Sequence, residues 1–145
     1  MIVNIKNLIL NEKYYNQLVD LYSTFSKFDK TIFTLNELSK LITNLRDNHI
    51  ILLYMDATDT IRGAITIFIE QKIIHNGKCV GHIEDFVVSE QIQNQGIGTL
   101  LINQAIQLSK INNCYKVILD CDPKLEKYYG KRGFATKGSY MGLYF

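Results

Sequence analysis

The stretch GHIEDFVVSEQIQNQGIGTLLINQAIQLSKINNCYKVILDC, Gly81 to Cys121, sets three kinds of local signal side by side. Lys78 to Val88 is rich in strand formers. The period then changes: from near Gly96, Ile97, Leu100, Leu101, Ala105 and Leu108 share one helical face, and Ser109 to Asn113 end it. Tyr115 to Cys121, YKVILDC, returns to strand character. Between strand and helix lies Gln93-Asn94-Gln95-Gly96-Ile97-Gly98-Thr99. Gly96 and Gly98 let the backbone approach an anion without a Cβ in the way. The first helical turn adds unpaired N–H groups with partial positive charge, so loop and helix together form a cradle for a pyrophosphate. The dinucleotide fingerprint would need a third glycine and the NTPase loop a Gly-Lys-Ser/Thr, and neither occurs. Taken alone, the glycine pair also fits a simple tight turn.

Upstream, Tyr14, Leu18, Leu21, Tyr22 and Phe25 fall on one helical face behind a candidate N-cap, Asn11. Thr34 and Glu37 form a capping box ahead of Leu38, Leu41, Ile42 and Leu45. Ile50 to Tyr54 reads as a strand, Asp56 to Thr60 as a turn and Ile61 to Ile69 as a second strand. Asn76-Gly77 suits a type I′ hairpin, which needs φ > 0 at both central positions. Roughly four antiparallel strands are therefore expected before the long helix. Downstream, Lys124 to Lys131 reads as a short helix broken by Gly130 and Gly133, and Phe134 to Phe145 as a last strand. The expectation is a single domain, 1–145, of mixed α/β (α+β) class.

Bulk properties narrow the functions. A net charge of +2 without a Lys/Arg run argues against nucleic acid. Apolar runs such as Ile50 to Met55 are too short for a bilayer, and no leader is read in MIVNIKNLIL, so a cytoplasmic protein is expected. Cys79, Cys114 and Cys121, with His49, His75 and His82, lack metal-ligand spacing. No metal is expected, and the cysteines read as reduced, mostly buried thiols.

Read with its flanks, Gly81 to Phe134 resembles the GNAT acetyltransferases, and within them the eukaryotic-type glucosamine-6-phosphate N-acetyltransferases. Gln93-x-x-Gly96-x-Gly98 is shared across the superfamily. More specific are Ile83-Glu84-Asp85 before Val87-Val88, Cys114-Tyr115-Lys116, Leu119-Asp120-Cys121, Tyr128-Tyr129 ahead of Gly133-Phe134, and the upstream Lys72-Ile73-Ile74-His75. The likeness is good from near Ala64 to Phe134 and fades on either side. It implies the GNAT fold: a mixed, mostly antiparallel sheet of about six to seven strands with a splayed parallel pair, flanked by about four helices. It also implies acetyl-CoA as co-substrate, a phosphorylated amino sugar as acceptor, a place in UDP-N-acetylglucosamine biosynthesis and a homodimer with the sugar site near the subunit interface.

The resemblance further implies roles for single residues. Glu84 would accept the amine proton, directly or through one water, although a Glu-Asp pair on a strand also fits a solvated edge. The Asp120 carbonyl would orient the amine, Asp85 would support it or touch the sugar, and Tyr129 would give a proton or a hydrogen bond to the departing sulfur. Backbone groups of Phe86, Val87 and Val88 would hold the pantetheine arm and polarise the thioester, while Asn94, Gln95, Gly96, Ile97, Gly98 and Thr99 would hold the diphosphate. Lys72, His75, Tyr115 and Lys116 would bind the sugar phosphate. Two departures stand out. Leu125 occupies a position where the family carries an Asn that contacts CoA, a loss of about 1 kcal/mol in polar contact. The tail Met141 to Phe145 has no arginine where the family has basic residues, which leaves Lys72, Lys116 and Lys27 or Lys30 for the phosphate, or a different substrate.

Overall fold

Strand pairing follows the β-rich segments closely. In the computed structural model, which describes residues 1–145, one sheet runs β1 (Ile2–Asn4), β2 (His49–Met55), β3 (Ile61–Gln71), β4 (Cys79–Val88) and β5 (Cys114–Ile118), in that spatial order. The first four strands are antiparallel and β4 pairs with β5 in parallel. Four antiparallel strands thus precede the long helix, as expected, but the sheet has five strands rather than six or seven. The missing strand is the tail: residues 135–145 form no ladder, and Met141, Leu143, Tyr144 and Phe145 are exposed. The outer edge of β5 therefore stays without a strand partner.

Helices α1 (Glu12–Tyr22) and α2 (Leu35–Asn44) cover one sheet face, and α3 (Ile97–Ile111) covers the other. A short α4 (Glu126–Gly130) follows β5. Asn11 caps α1 by accepting from the Tyr14 amide at 3.0 Å. Thr34 caps α2 by accepting from the Glu37 amide at 3.3 Å, but the Glu37 carboxylate turns to Lys40 at 2.7 Å, so only half of the capping box forms. Leu53, Ile65, Ile67, Leu101 and Ile102 are sealed in the core, each worth about 1.5–3 kcal/mol of burial.

Two departures from regular pairing shape the rest. The β3–β4 connection is wider than a two-residue type I′ turn: the ladder closes at Gln71↔Cys79, and His75, Asn76 and Gly77 all take positive φ. Farther along, Ala64 faces Val87 while Thr66 faces Glu84, so β4 carries one extra residue, and Asp85 sits at φ 46°. This bulge swaps the alternation of side chains. Ile83 packs with the α3-side core, whereas Val87, which a straight strand would place on the same face, packs with the α1-side core.

α3 lies close to β4. A Cβ on Gly81 would stand 2.4 Å from Ser109 Oγ and 3.1 Å from its Cβ, and that hydroxyl is already held by the Ala105 carbonyl at 2.9 Å. Gly81→Ala is expected to push helix and sheet apart and cost roughly 1–3 kcal/mol by overpacking. Urea unfolding checks this, and an unchanged midpoint would refute it.

Candidate active site

The parallel ladder stops at His82↔Ile118, while β4 continues to Val88. Beyond that point the β5-facing edge of β4, from Ile83 on, has no strand partner, and the chain after Ile118 bends away through Leu119 to Asp122. The gap is a cavity of about 300 Å³ lined by Glu84, Asp85, Phe86, Asp120, Leu125 and Tyr129, with Phe25 closing it from the α1–α2 loop. A second hollow of about 330 Å³ opens on His49, Thr66, Phe68 and His82 and shares Glu84 and Asp85 with the first. The bulge makes this possible, because it turns two consecutive acidic side chains outward, both exposed.

Electrostatics single out Glu84. Its carboxyl is raised above the ordinary 4.5 first by desolvation and then by the charges of Asp120 and Asp85, with His82 pulling the other way. A carboxyl so placed takes up a proton more readily than one in water. The Asp120 backbone carbonyl accepts no hydrogen bond within the chain, so a free acceptor faces the same cleft. The Tyr129 hydroxyl is pushed up to about 12, chiefly by burial, so it stays protonated at neutral pH. Tyr22 of α1 is likewise raised, mainly by burial and then by Asp85.

The adjacent tyrosines divide in an unexpected way. Tyr129 is the buried one, 7% exposed, packing its ring on Phe134, and it also lines the cleft. Tyr128 is half-buried and lies under the guanidinium of Arg132, 3.6 Å from ring centre to Cζ.

At the glycine loop the two glycines serve different ends. Gly96 caps α3 at φ 82°, a conformation that L side chains resist, and has open space around it. Gly98 is needed for room: a Cβ there would stand 2.5 Å from Tyr128 Oη and 3.1 Å from Phe86 Cζ. Asn94, also left-handed at φ 63°, shapes the approach. No side chain caps α3 and its first turn holds no acidic residue, so its free amides are left to an outside anion. Glycines, free amides and the nearby Arg132 guanidinium, which donates to Thr99 Oγ1 in the first turn of α3, together fit a diphosphate.

The structure does not bring all the expected sugar-binding residues to this cleft. His75 stacks on Tyr115 at 3.9 Å and Lys116 lies 5.5 Å from the same ring. Lys72 pairs with Glu70, whose carboxylate also accepts from His82 Nε2 at 2.8 Å. The Lys72–Glu70 pair thus reaches His82 of the second hollow, but His75, Tyr115 and Lys116 sit at the hairpin end of the sheet, where Cys79 faces Cys114. Glu84 lies five positions farther along β4, roughly 16 Å away at ~3.3 Å per residue. Lys30 is tied to Asn16 on α1 at 3.1 Å. No three His, Cys, Asp or Glu side chains converge on a point.

The model of the acetyltransferase (GNAT) family matches residues 13–134. The chain belongs to the GNAT acetyltransferases. The GNAT chain is 39% identical over 104 residues, 70% of its length and 63% of the relative's, to a probable glucosamine 6-phosphate N-acetyltransferase 2 of Oryza sativa subsp. japonica. It is 41% identical over 80 residues to glucosamine 6-phosphate N-acetyltransferase 1 of Dictyostelium discoideum, covering 54% of itself and 50% of that protein. These alignments therefore span less than two thirds of the curated relatives. The crystal structure of glucosamine-6-phosphate N-acetyltransferase from Arabidopsis thaliana superposes with a TM-score of 0.88 at 26% identity, covering 100% of this chain and 97% of that one.

Two features of this GNAT site escaped the sequence reading. Phe25 was placed on the α1 face, but α1 ends at Tyr22 and Phe25 reaches the cleft from the loop. Arg132 stood in the quoted motif without a role; a basic residue just before Gly133-Phe134 was its only signal.

Proposed function

We propose that this GNAT protein transfers the acetyl group of acetyl-CoA to the 2-amino group of D-glucosamine 6-phosphate, giving N-acetylglucosamine 6-phosphate and CoA. The observation that carries the reading is Glu84, raised in pKa and lining both cavities at the point where β4 and β5 part. The thioester supplies an activated carbonyl. The chain supplies the rest. Glu84 takes the amine proton, directly or through one water, as the nitrogen attacks and the C–S bond breaks. The free carbonyl of Asp120 orients the amine, and Tyr129 hydrogen-bonds the leaving sulfur. The unpaired edge of β4 at Phe86 to Val88 holds the pantetheine arm, and Asn94 to Thr99 the diphosphate. The names of the rice, slime-mould and Arabidopsis relatives support the amino sugar phosphate.

A homodimer belongs to this reading. His75, Tyr115 and Lys116 lie too far from Glu84 of their own chain to share one small sugar with it, and a second copy can bring such a group to the site, whereas Lys72 reaches His82 of the second hollow through Glu70. The cytoplasm is the expected compartment; no helix is long and apolar enough to cross a membrane.

The test is CoA release from acetyl-CoA with glucosamine 6-phosphate beside unphosphorylated glucosamine, on protein whose mass in solution has been measured. A preference of at least tenfold in kcat/KM for the phosphorylated sugar, in a dimer, is expected. Equal rates with both sugars would favour a GNAT enzyme for another small amine, the reading that the exposed, arginine-free tail and the apolar Leu125 on the cleft wall would then support.

A further inference from the structure

Arg132 lies just past α4 and reaches back to the start of α3. Its Nη2 donates to Thr99 Oγ1 at 2.5 Å, its Nη1 donates to the Tyr128 carbonyl, and its Nε is buried without a partner. A guanidinium has five N–H donors and no acceptor. Both of its acceptors here are neutral, and no carboxylate pairs with it, whereas Arg62 is matched to Asp56 at 2.8 Å. A half-buried cation is ordinarily paired with an anion. This one is not, and the residue it reaches, Thr99, stands in the first turn of α3, which has free amides and no acidic side chain.

We propose that Arg132 is a positioning residue for the diphosphate of the acyl donor, acting through Thr99. The inference rests on the acetyl-CoA reading above. Because Thr99 Oγ1 accepts from Arg132, its own hydrogen is left to donate outward, and the charged donor behind it polarises that hydroxyl. Thr99 therefore presents a hydroxyl and a first-turn amide to the same anion, with a fixed positive charge behind them. Stacking on Tyr128, whose hydroxyl fills the space beside Gly98, keeps the guanidinium in place. A purely mechanical clamp between α4 and α3 would use the same contacts, but it would act equally on any ligand of the cleft.

The experiment compares CoA with pantetheine, which lacks the diphosphate, by calorimetry without acceptor on Arg132→Met, Arg132→Lys and Thr99→Val. The affinity ratio of CoA to pantetheine is expected to fall about tenfold in Arg132→Met and Thr99→Val, with partial recovery in Arg132→Lys. The dependence of CoA affinity on salt should weaken in Arg132→Met alone. A ratio equal to that of the unaltered protein in both Arg132→Met and Thr99→Val would overturn the inference, leaving a clamp. If the unaltered protein bound no CoA, the donor reading itself would fall, and this inference with it.

Discussion

Glu84→Gln is expected to lower kcat by roughly 10²- to 10⁴-fold, the usual range for a general base. Glutamine keeps the shape of the side chain but cannot take a proton, so donor binding should change little. The pH profile carries the sharper test. Glu84 works ionised, and its pKa is raised by desolvation, then by Asp120 and Asp85. Activity is therefore lost as pH falls through a value above the ordinary 4.5 for glutamate, and the rise of rate with pH lies higher than an exposed carboxyl would put it. In the Gln variant that limb should vanish, leaving only the titration of the amine itself, around 8 by analogy with an α-amino group. Asp85→Asn, which removes one of the charges raising Glu84, should move the limb to lower pH. Steady-state kinetics from about pH 5 to 9 reads all three, and an unaltered profile in Glu84→Gln would remove Glu84 from the mechanism.

Tyr129→Phe is expected to reduce kcat by about 10²-fold, as loss of one aimed hydrogen-bond donor does elsewhere, with a smaller effect on donor affinity. Two roles were open from the residue type, proton donor or hydrogen-bond donor. The buried phenol, at about 12, favours the second. Handing the whole proton to the sulfur would leave a phenolate in that desolvated place, which burial disfavours. Donation without transfer costs nothing of that kind and still spreads the charge. The variant's losses should therefore be largest with donors whose thiols are least acidic. Equal kcat in Tyr129→Phe and the unaltered protein would exclude the role. Because Tyr129 also packs on Phe134 and Tyr128, its thermal unfolding has to be followed alongside.

The sugar end of the site is where the structure asks most of a partner. His82 bonds Glu70, Glu70 pairs with Lys72, and Phe68 lies between His49 and His82 with ring centres 6.2 and 6.0 Å away. This row floors the second hollow on the sheet face that α1 leaves open. Glu84 stands at its upper end. An acceptor lying there would meet the acidic pair from one side while the thioester met it from the other.

What the chain's sequence determined by itself is whatever depends on near neighbours. Asn11 and Thr34 cap their helices because each bond spans three residues. Helical period likewise gave the start of α3 near Gly96 and the buried Ile97, Leu101 and Ala105, although Leu100 is exposed and Ile102 and Ser109 are buried in its place. The order of elements was legible in the same way, whereas the family and the candidate pair Glu84-Asp85 came from the resemblance carried by Gly81 to Phe134. Tertiary structure alone decided what depends on residues far apart in the chain. The bulge at Asp85 is defined by the register of β4 against β3, and the cleft by where β5 stops pairing. The last strand expected over Phe134 to Phe145 does not form although the outer edge of β5 is open: residue types show only that a segment is able to pair, and where the chain beyond α4 lies decides whether it does. Arg132 gained a meaning only when α4 brought it to Thr99, thirty-three residues away. Local preferences act through a few bonds and can be read in order along the chain, whereas register, gaps and unpaired charges are set by which distant surfaces meet.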